Sequence, residues 1–430
     1  MTSKRPKLFY GWWIVFVSAV GLFLGAPLLV FSFSVFFKSL VADFHAGRAA
    51  VSFAFSLFNV VGALWLPATG ALIDRYGAKR VVVVSSLLYG LILCSALWVG
   101  SGLWQLYLLF TLLGVAMSSG SAPVPYGVVI SHWFNRYRGL ALALSMMGIG
   151  IGSIVVPILS QRLIAAFGWR GALAIFGGAV LLLPLPMTAA WMQNGPAQRD
   201  LLPDGDEEIH APHLPPSNRQ GMTWPEIWHS PTFWIMIAIF SLTGASVHGA
   251  VLHMSAIFTD RGVPAERAAI ATSLVGAAVI VGRLCSGFLL DRIFAPRVAI
   301  LFYAAAAVGI AILCQGHPGN IALVASFLVG LGMGAEVETM GYMVSRYFGL
   351  RVFGTAYGYT FGAFMISGSA GVFLMGLGYD RFHSYTVPLA GFCGATVLAL
   401  VLLTRLGPYR YGVEAQTTQP IKPLEVPSGA

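Results

Sequence analysis

The sequence predicts an all-α integral membrane protein of twelve transmembrane helices arranged as two six-helix halves, and three observations carry that expectation. Hydrophobic residues make up 57% of the chain and charged residues 10%, with 50 glycines and a mean hydropathy of +0.79, a balance that no single soluble core absorbs. Apolar runs of about 20 residues, the length that crosses a bilayer, recur twelve times. They fall at roughly 12–37, 49–73, 81–100, 104–130, 139–165, 170–192, 231–259, 267–290, 298–315, 321–345, 353–378 and 385–405. Finally, Gly70-x-x-x-Asp74-Arg75 after the second run returns as Gly287-x-x-x-Asp291-Arg292 after the eighth, at an offset of 217 residues.

The net charge of +9 is a topology signal once its placement is read. Lys and Arg number 17 in the tails, the linker and the turns on the side of the N-terminus, against 7 on the other side, so the positive-inside rule puts both termini in the cytoplasm of a plasma (inner) membrane. The first run opens with Tyr10-Gly11-Trp12-Trp13, whose rings suit the membrane interface, and it is too long for a signal-peptide core. The turn Gly70–Arg80 joins two helix ends, with Asp74 and its neighbouring cations able to bridge helices there. Pro123 and Pro125 interrupt the backbone ladder just ahead of Tyr126 in the fourth run. Leu113-Gly114, Met117 and Tyr126 are matched at an offset of 216 by Val329-Gly330, Met333 and Tyr342, which reinforces the two-half reading. The halves comprise 1–192 and 231–405, joined by a polar linker, 193–230, with Asp204, Asp206, Glu207 and Glu208 in its middle, and followed by a cytoplasmic tail, 406–430. Thr223-Trp-Pro-Glu226 has capping-box spacing and predicts a short helix before the seventh run. Gly148, Gly150 and Gly152, and Gly354, Gly358 and Gly362, are expected to let helices of opposite halves pass closely.

Arg283 is the residue around which the chemistry is organised. A guanidinium in the middle of a span costs about 2.5–3.5 kcal/mol on insertion scales, so it lines a cavity or closes an ion pair inside the bundle. Its own run contains no acid, which favours a cavity, and its five-donor fork fits a carboxylate or phosphate. His248 and His253 are the histidines inside a span, about 140° apart on a helix, and His253 is the favoured one. Glu336 and Glu338 are the acids well inside a span, on roughly opposite sides of the tenth helix. Glu338 shares a face with Gly334 and Tyr342 and fits a structural relay toward Arg346, whereas Glu336 is deeper and placed to meet Arg283. Tyr126 and Tyr342 offer hydroxyls to an anion. The four cysteines, Cys94, Cys285, Cys314 and Cys393, lie within spans without metal-ligand spacing, so neither a metal nor a disulfide is expected.

Six plus six helices with the charged turn after the second and eighth resemble the major facilitator superfamily over the whole chain, and the most specific match is Gly70–Arg80. Within it the sequence resembles the monocarboxylate transporter family, in a prokaryotic branch. Tyr10-Gly11-Trp12, Val35-Phe36-Phe37-Lys38 and Trp133-Phe134-Asn135-Arg136-Tyr137-Arg138-Gly139-Leu140-Ala141, running into Gly148-Ile-Gly150, carry the resemblance. It implies that Arg283 takes the place of the family's carboxylate-binding arginine. It also implies an acid one turn earlier, where Val279 stands, and a lysine in the first helix, near Phe31.

The expected function is secondary transport of a small organic anion, a monocarboxylate such as lactate or pyruvate, by alternating access and coupled to protons, with Arg283, His253, Tyr126 and Tyr342 at the substrate. His253 or Glu336 would carry the proton, and Gly70, Asp74, Arg75, Asp291 and Arg292 would form the gate. The partners are then the anion, protons and the lipid bilayer; neither nucleic acid nor a cofactor is expected, and the chain is expected to act as a monomer. An exchanger of dicarboxylates or of oxalate-like or formate-like anions would want a second buried cation, and an exporter of amphipathic drugs would leave Arg283 unexplained. An enzyme is not expected, because no nucleophile motif, metal cluster or P-loop is present.

Overall fold

The computed structural model describes residues 9–205, 221–316 and 320–411. The linker acids Asp206, Glu207 and Glu208, the basic residues before position 9 and the tail beyond 411 lie outside them.

The first membrane helix is broken: α1 (Gly11–Phe23) passes through a π turn at Pro27–Phe31 into α2 (Phe33–Asp43). There Ser32 Oγ donates to the Pro27 carbonyl at 2.9 Å. The second and third are α3 (Arg48–Tyr76) and α4 (Ala78–Ser95). The fourth is α5 (Leu103–Gly120) and α6 (Pro123–Trp133), interrupted where Pro123 starts a new helix without an N–H to give to the old one. The segment Arg138–Trp191 reads as one apolar span of 54 residues, but a straight helix of that length would run about 80 Å. Gly168 (φ 70°, ψ 174°) turns it back, so α7 (Arg138–Leu182) holds the fifth helix and the start of the sixth, completed by α8 (Pro184–Trp191).

The short α9 (Trp224–Trp228) begins on the expected capping box, with Thr223 N donating to Glu226 at 2.6 Å. The second half follows as α10 (Pro231–Leu252) with α11 (Met254–Thr259), α12 (Ala265–Leu290), α13 (Ala295–Gln315), α14 (Asn320–Phe348), α15 (Phe353–Phe382) and α16 (Thr386–Thr404). The seventh membrane helix is therefore not continuous either; it breaks at His253.

The ends of the described chain lie on one face, the terminal face, where Tyr10 Oη donates to the Trp191 carbonyl and Tyr411 N to the Arg346 carbonyl. The buried core has three parts. One, at the terminal face, mixes side chains of both halves, among them Ile14, Leu66, Leu290 and Phe361. The other two are each confined to one half, around Phe58 and Phe176 in the first and around Val247 and Leu389 in the second. The halves thus share apolar burial near the terminal face and keep separate cores away from it.

Two crossings make that junction. Gly70 of α3 lies on the carbonyl of Gly354 of α15, and Gly139 of α7 on the carbonyl of Gly287 of α12; a Cβ at either would overlap backbone. Gly358 and Gly362 continue the first crossing against Leu66 and Ala63, as expected from the sequence. The fifth-helix glycines behave differently. Gly148 and Gly152 pack against Ala19 and Phe23 of the same half, and a Cβ at Gly150 would meet nothing within 4 Å. The close approach between halves on this helix falls to Gly139, at its start.

Candidate functional site

The two echoing motifs do the same work twice. Asp74 accepts from Gly354 N at 2.9 Å and from Thr355 N and Oγ1 at 2.7 Å, so its carboxylate sits on the N-terminus of α15 in the other half. Asp291 accepts from Gly139 N at 2.6 Å and Leu140 N at 2.9 Å, at the N-terminus of α7 in the other half. Free amides and the helix dipole make each terminus a seat for an anion. Burial pushes the Asp291 carboxyl up to about 6, against the lowering effect of those amides. The motif's cations take no part in these bonds: Arg75 is exposed beside Tyr76, and Arg292 is exposed over the Phe288 ring.

A second set of bonds closes the same face. Arg346 of α14 donates to the side chain and carbonyl of Asn135 at 2.7 Å each, and Arg138 of α7 donates to Ser345 Oγ at 2.8 Å. Asp204 of the linker in turn accepts from Asn135 N and Arg136 N at 2.9 and 2.7 Å. The distinctive stretch Trp133–Ala141 is therefore latch as well as helix start. Tyr342 belongs to this latch, its hydroxyl accepting from Arg346 at 3.2 Å.

Arg283 lies deeper on α12, 8% exposed. Its Nη1 donates to the Met146 carbonyl of α7 at 2.9 Å, across the boundary between the halves. Its Nε meets Glu338 Oε1 of α14 at 2.7 Å. The sequence reading placed Glu336 beside Arg283 and Glu338 toward Arg346; the structure pairs Arg283 with Glu338. Gly334 decides this, because it lies against the Val279 carbonyl and lets α14 close on α12, which brings Glu338, one turn later, level with the guanidinium. No acid stands at position 279 itself, which is Val; the carboxylate beside Arg283 comes from the neighbouring helix. Both carboxylate oxygens of Glu338, Glu336 Oε1 and Arg283 Nε are buried without a hydrogen-bond partner, so the 2.7 Å contact between Arg283 and Glu338 is an ion pair without hydrogen-bond geometry.

Glu336 faces His248 of α10, with Oε2 3.9 Å from Nδ1. His248, the histidine not favoured from sequence, shares this buried acid, while its Nδ1 lies 3.1 Å from the Gly244 carbonyl. His253 stands at the break between α10 and α11, with Nδ1 3.4 Å from Tyr385 Oη and Nε2 3.3 Å from the Val372 carbonyl. Tyr126 is fully buried against Gly21 of α1 and donates to the Gly120 carbonyl at 3.0 Å, bridging the break in its own membrane helix. Of the expected site residues, then, Arg283 is paired with Glu338 and Glu336 lies beside His248, and neither partner is one the sequence reading put in the site. Tyr342 goes to the latch, and Tyr126 and His253 go to helix breaks. Glu338 as partner was legible only in its face, shared with Gly334.

Among the described residues, no group of His, Cys, Asp and Glu has the arrangement to hold a metal ion.

A model of the Major Facilitator Superfamily matches residues 11–372. An uncharacterized MFS-type transporter of Escherichia coli (strain K12) is 26% identical over 344 residues, covering 76% of this chain and 79% of the relative. Monocarboxylate transporter 13 of Rattus norvegicus is 29% identical over 340 residues, covering 76% and 72%. A solved proton:xylose symporter superposes with a TM-score of 0.72 at 13% identity, over 93% of this chain and 96% of that one, a likeness of fold.

Proposed function

The chain belongs to the Major Facilitator Superfamily, and from that premise we propose that it is a secondary active transporter of a small organic anion, a monocarboxylate of lactate or pyruvate size, moved together with a proton by alternating access. The observation that carries the reading is Arg283. It is a buried guanidinium in mid-span that touches both halves, through Met146 of the first and Glu338 of the second, and so stands where a rocking motion changes its surroundings. Similarity to monocarboxylate transporters agrees with it. Among the described residues the other buried arginines, Arg138 and Arg346, are engaged in the latch, which disfavours a dicarboxylate or oxalate exchanger with a second cation in the site. The sequence candidates for the proton remain His253 and Glu336, with both tails in the cytoplasm of the plasma membrane and the protein acting as a monomer.

The test is binding of L-lactate and pyruvate to purified protein and their uptake into proteoliposomes. Arg283→Lys keeps the charge, loses the planar pair of donors and weakens both. Arg283→Ala nearly abolishes both, and it also strands Glu338 in the interior, at about 3–5 kcal/mol. The double variant Arg283→Ala, Glu338→Gln removes that penalty, and is expected to recover thermal stability without recovering binding. Wild-type affinity in either Ala variant sinks the site.

A further inference from the structure

We propose that His248 is a second substrate-contacting residue of the transport site. Its Nε2 reads a hydroxyl on the short carboxylic acid that Arg283 holds, so that the site selects a hydroxy acid over the unsubstituted acid of the same length. This rests on the reading of Arg283 as the seat of the anion.

The two residues stand at one level of the bundle. Glu336, beside His248, and Glu338, beside Arg283, are two residues apart on α14, a rise of about 3 Å. They point to opposite sides of that helix, so α10 brings the imidazole to one flank and α12 brings the guanidinium to the other. Each also rests on the apolar core that the two halves share. Arg283 Nη1 meets the Met146 carbonyl, and the His248 ring lies edge-on to Phe364 of α15 with the centroids 5.3 Å apart. Met146 and Phe364 belong to the shared core, whereas Val247, next to His248, belongs to the core of the second half alone. His248 therefore stands where shared burial ends and the space between the halves begins.

The ring is held on one side and free on the other. Nδ1 lies 3.1 Å from the Gly244 carbonyl, one turn earlier on α10, and 3.9 Å from Glu336 Oε2. A carbonyl only accepts, so Nδ1 carries a hydrogen whether the imidazole is neutral or charged. Nε2 is left without a hydrogen-bond partner among the described residues. The His248 side chain is 31% exposed and that of Glu336 1%, so of this pair the imidazole is what a molecule between the halves can touch, with the acid behind it. An ionisable side chain in a span, set beside an acid, faces a cavity and not lipid.

The free nitrogen defines what it can read. Nε2 accepts when the ring is neutral and donates when it is charged. A hydroxyl does both and is matched by either form, while a methylene or methyl group offers nothing. An unsubstituted acid that displaces water from Nε2 leaves that nitrogen unpaired, and a site with an unpaired polar group discriminates against the ligand that leaves it so.

The experiment is isothermal titration of propionate, lactate and 3-hydroxypropionate into the purified full-length protein at neutral pH, read as the affinity of each hydroxy acid relative to propionate. The ratio is taken within one protein preparation, so partial loss of folded protein does not alter it. In wild type at least one of the two hydroxy acids is expected to bind about fivefold more tightly than propionate, the worth of one hydrogen bond. His248→Phe keeps a flat ring against Phe364 and removes the nitrogen; its ratio is expected to fall to about one with propionate affinity little changed. His248→Gln carries an amide toward the place of Nε2 and is expected to keep a ratio of at least about twofold. A wild-type ratio near one for both hydroxy acids, a ratio undiminished in His248→Phe, or an equal weakening of all three acids in that variant overturns the proposal. In each of these cases propionate binding that is lost in Arg283→Ala still upholds the anion site. Failure of wild type to bind any of the three acids removes the anion site and the His248 contact with it.

Discussion

Gly70→Ala is expected to open the terminal face. A Cβ on Gly70 would overlap the carbonyl carbon and oxygen of Gly354 and lie 2.7 Å from Thr355 N, all of it backbone that cannot rotate away. To restore ordinary contact the crossing of α3 and α15 must widen by roughly 1 Å. Asp74, one turn further along α3, holds Gly354 N and Thr355 N and Oγ1 at 2.7–2.9 Å, and bonds of that length do not survive such a displacement. Each charge-assisted bond contributes about 1.5–3 kcal/mol, although water replaces much of this at a helix end. Taking the net loss as one such bond, together with about 1–3 kcal/mol of overpacking, the closed arrangement loses roughly 3 kcal/mol, or about a hundredfold in population. The assay is the distance between spin labels at Tyr76→Cys and Arg351→Cys, exposed on opposite halves, in a background with Cys94, Cys285, Cys314 and Cys393 replaced by Ser. Gly150→Ala, whose Cβ meets nothing within 4 Å, is the comparison and should leave the distances alone. An unchanged distance distribution in Gly70→Ala, or an equal shift in Gly150→Ala, refutes the reasoning.

Two further outcomes are expected. In the closed arrangement the Asp291 carboxyl is raised to about 6 from 3.8, so the closed form binds the proton more tightly than an open form with Asp291 in water. Closure therefore gains as pH falls from about 6 to about 4, by at most about 3 kcal/mol before solvent screening, and is lost again as pH rises through 6. The same label pair should report it, and Asp291→Asn should flatten the profile; a pH response unchanged by that substitution speaks against the assignment. For topology, an impermeant thiol reagent added outside intact cells should reach a cysteine at Arg381 and miss one at Ser217, and the reverse pattern overturns the orientation.

Much of the architecture was legible in the chain itself. Twelve apolar runs, the repeat at 217 residues and the capping box at Thr223 are local or periodic signals, and a bilayer leaves a long apolar run little choice but a helix. That Arg283 is buried inside the bundle also followed from its placement, since a guanidinium in an apolar span is too costly to face lipid. Prolines announced the break before Tyr126. The break at His253 had no such marker; the contacts His253 makes there are with Tyr385 and Val372, more than a hundred residues away.

Partner choice is where the sequence ran out. Glu336 and Glu338 are two residues apart, and a helix turns about 200° between them, so which one met Arg283 depended on how α14 is rotated and how closely it approaches α12. Gly334 against the Val279 carbonyl settled both. In the same way Gly139 and Gly150 are alike as letters, yet one lies under a helix of the opposite half and the other faces open space. The sequence determined which groups are buried in the membrane and on which helices, because period and hydropathy are properties of one segment. Which buried groups touch was decided by the tertiary structure alone, since contact depends on the rotation and spacing of two helices that no single segment encodes.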